Sequence, residues 1–135
     1  MSTTALHVGM QASRTMLITN DTIQAFADLS GDRNPVHMDD EYAATTRFGR
    51  RIAHGMISAA LISSVLGNDL PGTGAIYLSQ SLQFKAPVFP GDTITATAVV
   101  KSLRTDKPLV TITTTCTKQD GSVVVEGEAV LLYSR

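Results

Sequence analysis

Asp32, Asn34 and His37 fall within the stretch GDRNPVHMDD, residues 31–40, with Gly31 and Pro35 among them. A carboxylate and an imidazole are a sensible pair for moving protons near neutral pH. Asp32 can hold a water, His37 can share or relay its proton, and the Asn34 amide can tie the loop down. A turn brings side chains two to five positions apart into mutual reach. The same residues also describe an ordinary turn, because Gly, Asp, Asn and Pro each favour turns for local reasons. Spacing alone leaves both readings open. A metal is a weaker reading: Asp32, His37, Asp39 and Asp40 offer ligands, but no paired-histidine or cysteine spacing supports a site.

The flanking segments must position this loop. Residues 21–29, DTIQAFADL, read as a short helix capped by Asp21 or Asn20, with Ile23, Phe26, Ala27 and Leu29 at roughly helical spacing. Gly31 and Pro35 then end regular structure. The stretch DDEYAATTRFG, with acids first and glycine last, predicts another short helix. Residues 54–67, HGMISAALISSVLG, are apolar on every face with no charged side chain between His54 and Gly67. That predicts a helix buried all round, stopping at Gly67. From residue 75 the pattern changes to runs rich in Val, Ile and Thr, separated by PGD, TDKP and QDG turns. The first run alternates in part, Leu78, Leu82 and Phe84 contrasting with Gln80, Gln83 and Lys85. Consecutive strands on short turns give an antiparallel sheet, and one buried helix before it gives an α+β fold with the sheet curled around that helix.

At 135 residues the chain suits one domain, taken as 1–135, with no repeat or linker to divide it. Eleven basic and twelve acidic residues give a net charge of −1 without a basic run, which argues against nucleic acid as a partner. The single cysteine, Cys116, excludes an internal disulfide and fits a reducing compartment. The first twenty residues lack the basic start and apolar core of a secretion signal, and the longest apolar run, near 56–66, holds three serines and is too short to span a bilayer. The expectation is a cytoplasmic domain with no membrane partner.

The longer stretch FADLSGDRNPVHMDDEYA, residues 26–43, resembles the signature of the MaoC-like (R)-specific enoyl-CoA hydratases. Phe26, Leu29, Ser30, Gly31, Asp32, Asn34, Pro35, Val36, His37 and Ala43 occupy its places without departure. The segments RIAHGMISAALISSVLG and GAIYLSQSLQFKAPVFPGDTI look like the family's central helix and following strands, so the likeness covers most of the chain. It is greatest to the short single-domain hydratases that feed polyhydroxyalkanoate synthesis.

The resemblance implies a hot-dog fold, a homodimer and reversible syn addition of water to a trans-2-enoyl-CoA, giving a (3R)-3-hydroxyacyl-CoA. It implies no cofactor, CoA being part of the substrate. Asp32 and His37 would hold the attacking water and manage the proton, with Asn34 in support. Charge developing on the thioester oxygen needs a donor, and the Gly55 N–H at the start of the buried helix suits it. The absent Cβ would let substrate approach the backbone. His54 reads as structural, since the signature assigns the histidine role to His37. Gly55, Ala59, Ser63 and Leu66 recur at intervals of three or four, so Ser63 and Leu66 are expected to line an acyl channel. Arg47, Arg50, Arg51 and Lys85 are available to CoA phosphates, although exposed basic residues are usually solvated surface.

Two alternatives stay open: a (3R)-hydroxyacyl-carrier-protein dehydratase, and a non-catalytic acyl-CoA-binding hot-dog subunit. A hot-dog thioesterase is disfavoured, because residues 54–67 carry no Asp or Glu.

Overall fold

In the computed structural model, which describes residues 5–133, the chain opens with strand β1 (Gln11–Leu17) and helix α1 (Asn20–Ser30). Two single-turn helices, α2 (Pro35–Met38) and α3 (Asp40–Ala44), lead to the long helix α4 (Gly55–Asn68). Then come β2 (Ile76–Gln80), β3 (Gln83–Phe84), β4 (Thr93–Leu103), β5 (Leu109–Thr117) and β6 (Val123–Leu132). Residues 1–4 and 134–135 of the expected domain lie outside the described residues.

Period-two alternation builds the sheet. Ile94, Ala96, Ala98 and Val100 of β4 are buried, as are Val110, Ile112, Thr114 and Cys116 of β5. That is the pattern of a pleated surface with one covered face. The sheet is antiparallel, in the order β1-β4-β5-β6-β2, with β3 also pairing β6. Helix α4 packs across β1, β4, β5 and β6, and its Ile57, Leu61, Ile62, Val65 and Leu66 meet the buried strand residues in one core. This is the α+β hot-dog arrangement. No helix among the described residues is long and apolar enough to cross a membrane.

Several local expectations need correction. The cap of α1 is Thr19, whose hydroxyl accepts from Thr22 N–H while Thr22 Oγ1 accepts from Thr19 N–H, both at 3.1 Å. Asn20 is otherwise engaged, its amide oxygen accepting from Arg51 Nη2 at 3.0 Å. Gly67 does not stop α4, because it has no positive φ and the helix runs on to Asn68. Nor is α4 buried all round: Met56, Ala60 and Ser63 are exposed along one stripe. The helix lies on one face of the sheet, so the stripe turned away from it stays open. Leu78 and Phe84 are 51% and 54% exposed, because β2 is an edge strand and β3 is only two residues long. The strand β1 has no counterpart in the pattern reading, since QASRTML alternates poorly.

Candidate active site

The loop after α1 is built by its own polar side chains. Gly31 takes the left-handed conformation (φ 79°) and its N–H closes α1 onto Ala27 O. Asp32 Oδ1 accepts from Asn34 N–H at 3.2 Å, and Asn34 Oδ1 accepts from Val36 N–H at 3.1 Å, capping α2 with Pro35 at its first position. Asp39 Oδ1 caps α3 by accepting from Glu41 and Tyr42 N–H. Turn and polar cluster are therefore the same feature.

His37 is fixed from behind. Its Nδ1 lies 2.8 Å from Ile52 O; a carbonyl only accepts, so Nδ1 carries the proton and Nε2 is left with its lone pair. Ile52 is itself anchored, its N–H donating to Val36 O and the next N–H, of Ala53, to Val88 O. Burial pushes the His37 imidazole below its usual range, against the opposing pull of the Ile52 carbonyl; nearby His54 lowers it further and Asp32 raises it. The ring is thus a base rather than a cation at neutral pH.

His54, structural by the signature, stands inside this cluster. The ring of His54, 3% exposed, stacks on His37 with centroids 4.0 Å apart, and its Nε2–H donates to Asp32 O at 2.9 Å. Ligand atoms of Asp32, His37 and His54 all lie within 4.8 Å of one another. Groups this close can share one water, with the free Nε2 of His37 and the Asp32 carboxylate both able to accept from it. The signal in the sequence was the histidine directly before Gly55, at the start of the helix.

His37, Gly55 and Ser58 line a cavity of about 410 Å³ together with Phe84, Arg47 and Lys85. Gly55 opens α4, and no side chain caps that end: Ile57 N–H turns back to His54 O, while the N–H groups of Gly55 and Met56 find no partner among the described residues and stay available to a ligand. The space of its missing Cβ is not open, however. The Phe84 ring fills it, and a Cβ built there would lie 2.6 Å from Phe84 Cε1. Met56 separates this cavity from a second, of about 530 Å³, lined by Ala59, Ser63, Phe26, Tyr77 and Leu78.

Ser63 therefore borders a cavity, whereas Leu66 does not: it is 0% exposed and belongs to the core. Three residues advance a helix about 300°, which sets Leu66 about 60° from Ser63, on the side turned to the sheet. Of the basic residues, Arg51 is a strut to Asp40 and Asn20, and Arg50 stacks on Phe89 at 4.2 Å. Arg47 and Lys85 face the first cavity.

Comparison with known proteins identifies the family. Residues 3–121 match the MaoC like domain. The chain is 55% identical to the (R)-specific enoyl-CoA hydratase of Rhodospirillum rubrum over 124 residues, covering 92% of this chain and 85% of that one. It is 50% identical to the enzyme of the same name from Aeromonas caviae, covering 97% and 98%. The solved structure of the A. caviae (R)-hydratase, described as involved in PHA biosynthesis, superposes with a TM-score of 0.93 at 49% identity, over 96% of this chain and 98% of that one. On its sequence, its fold and the loop that carries Asp32 and His37, the chain belongs to the MaoC-like family.

Proposed function

We propose that this protein is an (R)-specific enoyl-CoA hydratase, adding water reversibly and syn across trans-2-enoyl-CoA to give (3R)-3-hydroxyacyl-CoA. The observation that carries the reading is the bare Nε2 of His37 beside the Asp32 carboxylate, at the uncapped N-terminus of α4. The half-identical hydratases named above support it.

In the hydration direction, a water held between Asp32 and His37 gives its hydroxyl to C3, and the proton left on the pair passes to C2 on the same face. Two groups that only accept in the resting state suit a water donating both hydrogens. Negative charge gathers on the thioester oxygen as C3 is attacked. The N–H of Gly55 and the positive end of α4 offset it. The acyl chain runs past Met56 into the second cavity, with Ser63 on its wall. Arg47 and Lys85 at the first cavity receive the phosphates of CoA.

The working unit in this proposal is a homodimer. Edge strand β2 exposes Ile76, Tyr77 and Leu78, and Met56 and Phe84 lie open nearby, a combination that invites a second copy. A reducing, cytoplasmic setting belongs to the same proposal: Cys116 is a lone buried thiol, pushed up to about 12 by burial and so inert. The hydroxyacyl-CoA product fits supply to polyester synthesis.

The test is loss of the conjugated enoyl absorbance of crotonyl-CoA, followed by oxidation of the product with an R-specific dehydrogenase. Asp32→Ala and His37→Ala should each remove most turnover while the protein stays folded. Failure to hydrate any short- to medium-chain enoyl-CoA would overturn the reading. Normal turnover in both variants would return the pair to a turn.

A further inference from the structure

His54 occupies the N-cap position of α4, yet its side chain makes no cap hydrogen bond. An N-cap side chain ordinarily turns back to accept from the second or third N–H of its helix. That of His54 turns instead to the preceding loop, where Nε2–H donates to the carbonyl of Asp32. The ring lies between two others, stacked on His37 (4.0 Å, 29°) and tilted against Phe26 (4.9 Å, 53°). Its remaining nitrogen, Nδ1, is buried with no partner among the described residues.

A residue serving only to fill this space would be expected to be apolar, since a buried nitrogen without a partner is a cost. The one group that repays the imidazole is Nε2–H. Its acceptor belongs to a residue otherwise held only by near neighbours in the chain: Asp32 is exposed, its N–H reaches Ser30 Oγ at the end of α1 at 3.1 Å and its carboxylate accepts from Asn34 N–H. The bond from His54 ties residue 32 to the long helix. Through the next residue, Gly55, the same helix end presents the N–H assigned to the thioester.

We propose that His54 is a positioning residue for the Asp32–His37 pair, its Nε2–H holding the Asp32 backbone and its ring forming the wall against which His37 stands. This rests on the hydratase reading. The two duties separate by substitution. His54→Phe keeps a ring against His37 and deletes the donor; His54→Gln keeps an N–H donor and deletes the ring.

The titratable and charged groups around His37 are Asp32 in its own loop, His54 at the α4 end, and Arg47 and Lys85 on the same cavity. Burial is the largest cause of its lowered pKa, so uncovering its face should raise it.

The experiment combines steady-state kinetics on crotonyl-CoA with nitrogen-15 NMR of the imidazoles in the full-length protein. In the wild type, His54 should show the Nε2–H tautomer and His37 the Nδ1–H tautomer. His54→Phe should lower kcat roughly tenfold or more with KM within about twofold, because a misplaced reacting group costs rate rather than uniform binding. Its acid limb should rise only slightly, by loss of the lowering that His54 exerts on His37, because the covering ring is kept. His54→Gln should recover most of the lost kcat, while both the His37 titration and the acid limb move to higher pH. Wild-type kcat in His54→Phe overturns the tether, and a His37 titration no higher in His54→Gln than in His54→Phe overturns the wall. If His54→Phe does not fold, a wild-type His54 carrying its proton on Nδ1 overturns the tether alone. A wild type that hydrates no enoyl-CoA sinks the hydratase reading, and the tautomers and the His37 titration then still test the positioning.

Discussion

Phe84 fills the volume that a side chain at position 55 would need: a Cβ on Gly55 would lie 2.6 Å from its Cε1 and 2.7 Å from its Cδ1. The two residues come from the first turn of α4 and the short strand β3, so this contact sets how closely β3 approaches the helix end. Gly55→Ala should cost about 1–3 kcal/mol by overpacking. The cost should shrink in a Phe84→Ala background, where nothing stands in the way. Urea denaturation of the four proteins in a double-mutant cycle measures the coupling. Strict additivity would mean that the ring moves aside freely.

The pH dependence follows from His37. Its imidazole is held below the ordinary histidine value of about 6.5, chiefly by burial. The acid limb of kcat/KM, which reports the free enzyme, should therefore fall below about pH 6.5. Stability has the same sign. As pH falls through about 6.5 the unfolded chain takes up the proton and the folded one does not, so stability drops until the lowered folded pKa is passed. Substituting His37 by Gln should flatten that part of the stability profile. An acid limb above pH 7 would contradict the assignment.

Ser63 stands on the wall of the second cavity, which is otherwise lined largely by apolar groups. Replacing it with Leu should leave crotonyl-CoA turnover within about twofold and reduce turnover of eight-carbon enoyl-CoA by roughly tenfold or more, on the scale of a few methylenes excluded from a pocket. Acyl-length profiling of the variant measures this. An unchanged profile would place the acyl chain elsewhere.

Leu66 is a core residue rather than a cavity wall. Leu66→Ala should lose about 2–5 kcal/mol, the cost of removing a buried leucine and leaving a partial void. Thermal or urea unfolding checks it, and a loss under about 1 kcal/mol would show that the site relaxes around the change or is already open.

The site was legible to the extent that it is local. The loop from Gly31 to His37 carries its own turn chemistry, because its bends and caps come from Asp32, Asn34 and Pro35 within the same few residues. The long helix was equally plain, being an apolar run bounded by polar turns. Exact helix ends were not, since the Thr19 cap of α1 and the Asn68 end of α4 owe their places to which side chains are engaged elsewhere and to whether a glycine keeps helical dihedrals.

By itself the sequence determined the polar loop of Asp32 and His37, the central helix and the later strands, because each rests on residues near one another in the chain. Tertiary structure alone decided what faces what. It set His54 between Phe26 and His37, put Phe84 against Gly55, left a stripe of α4 open and turned Leu66 inward. Those relations depend on the angle at which α4 lies on the sheet and on where an edge strand ends. Neither leaves a periodic trace in a single chain.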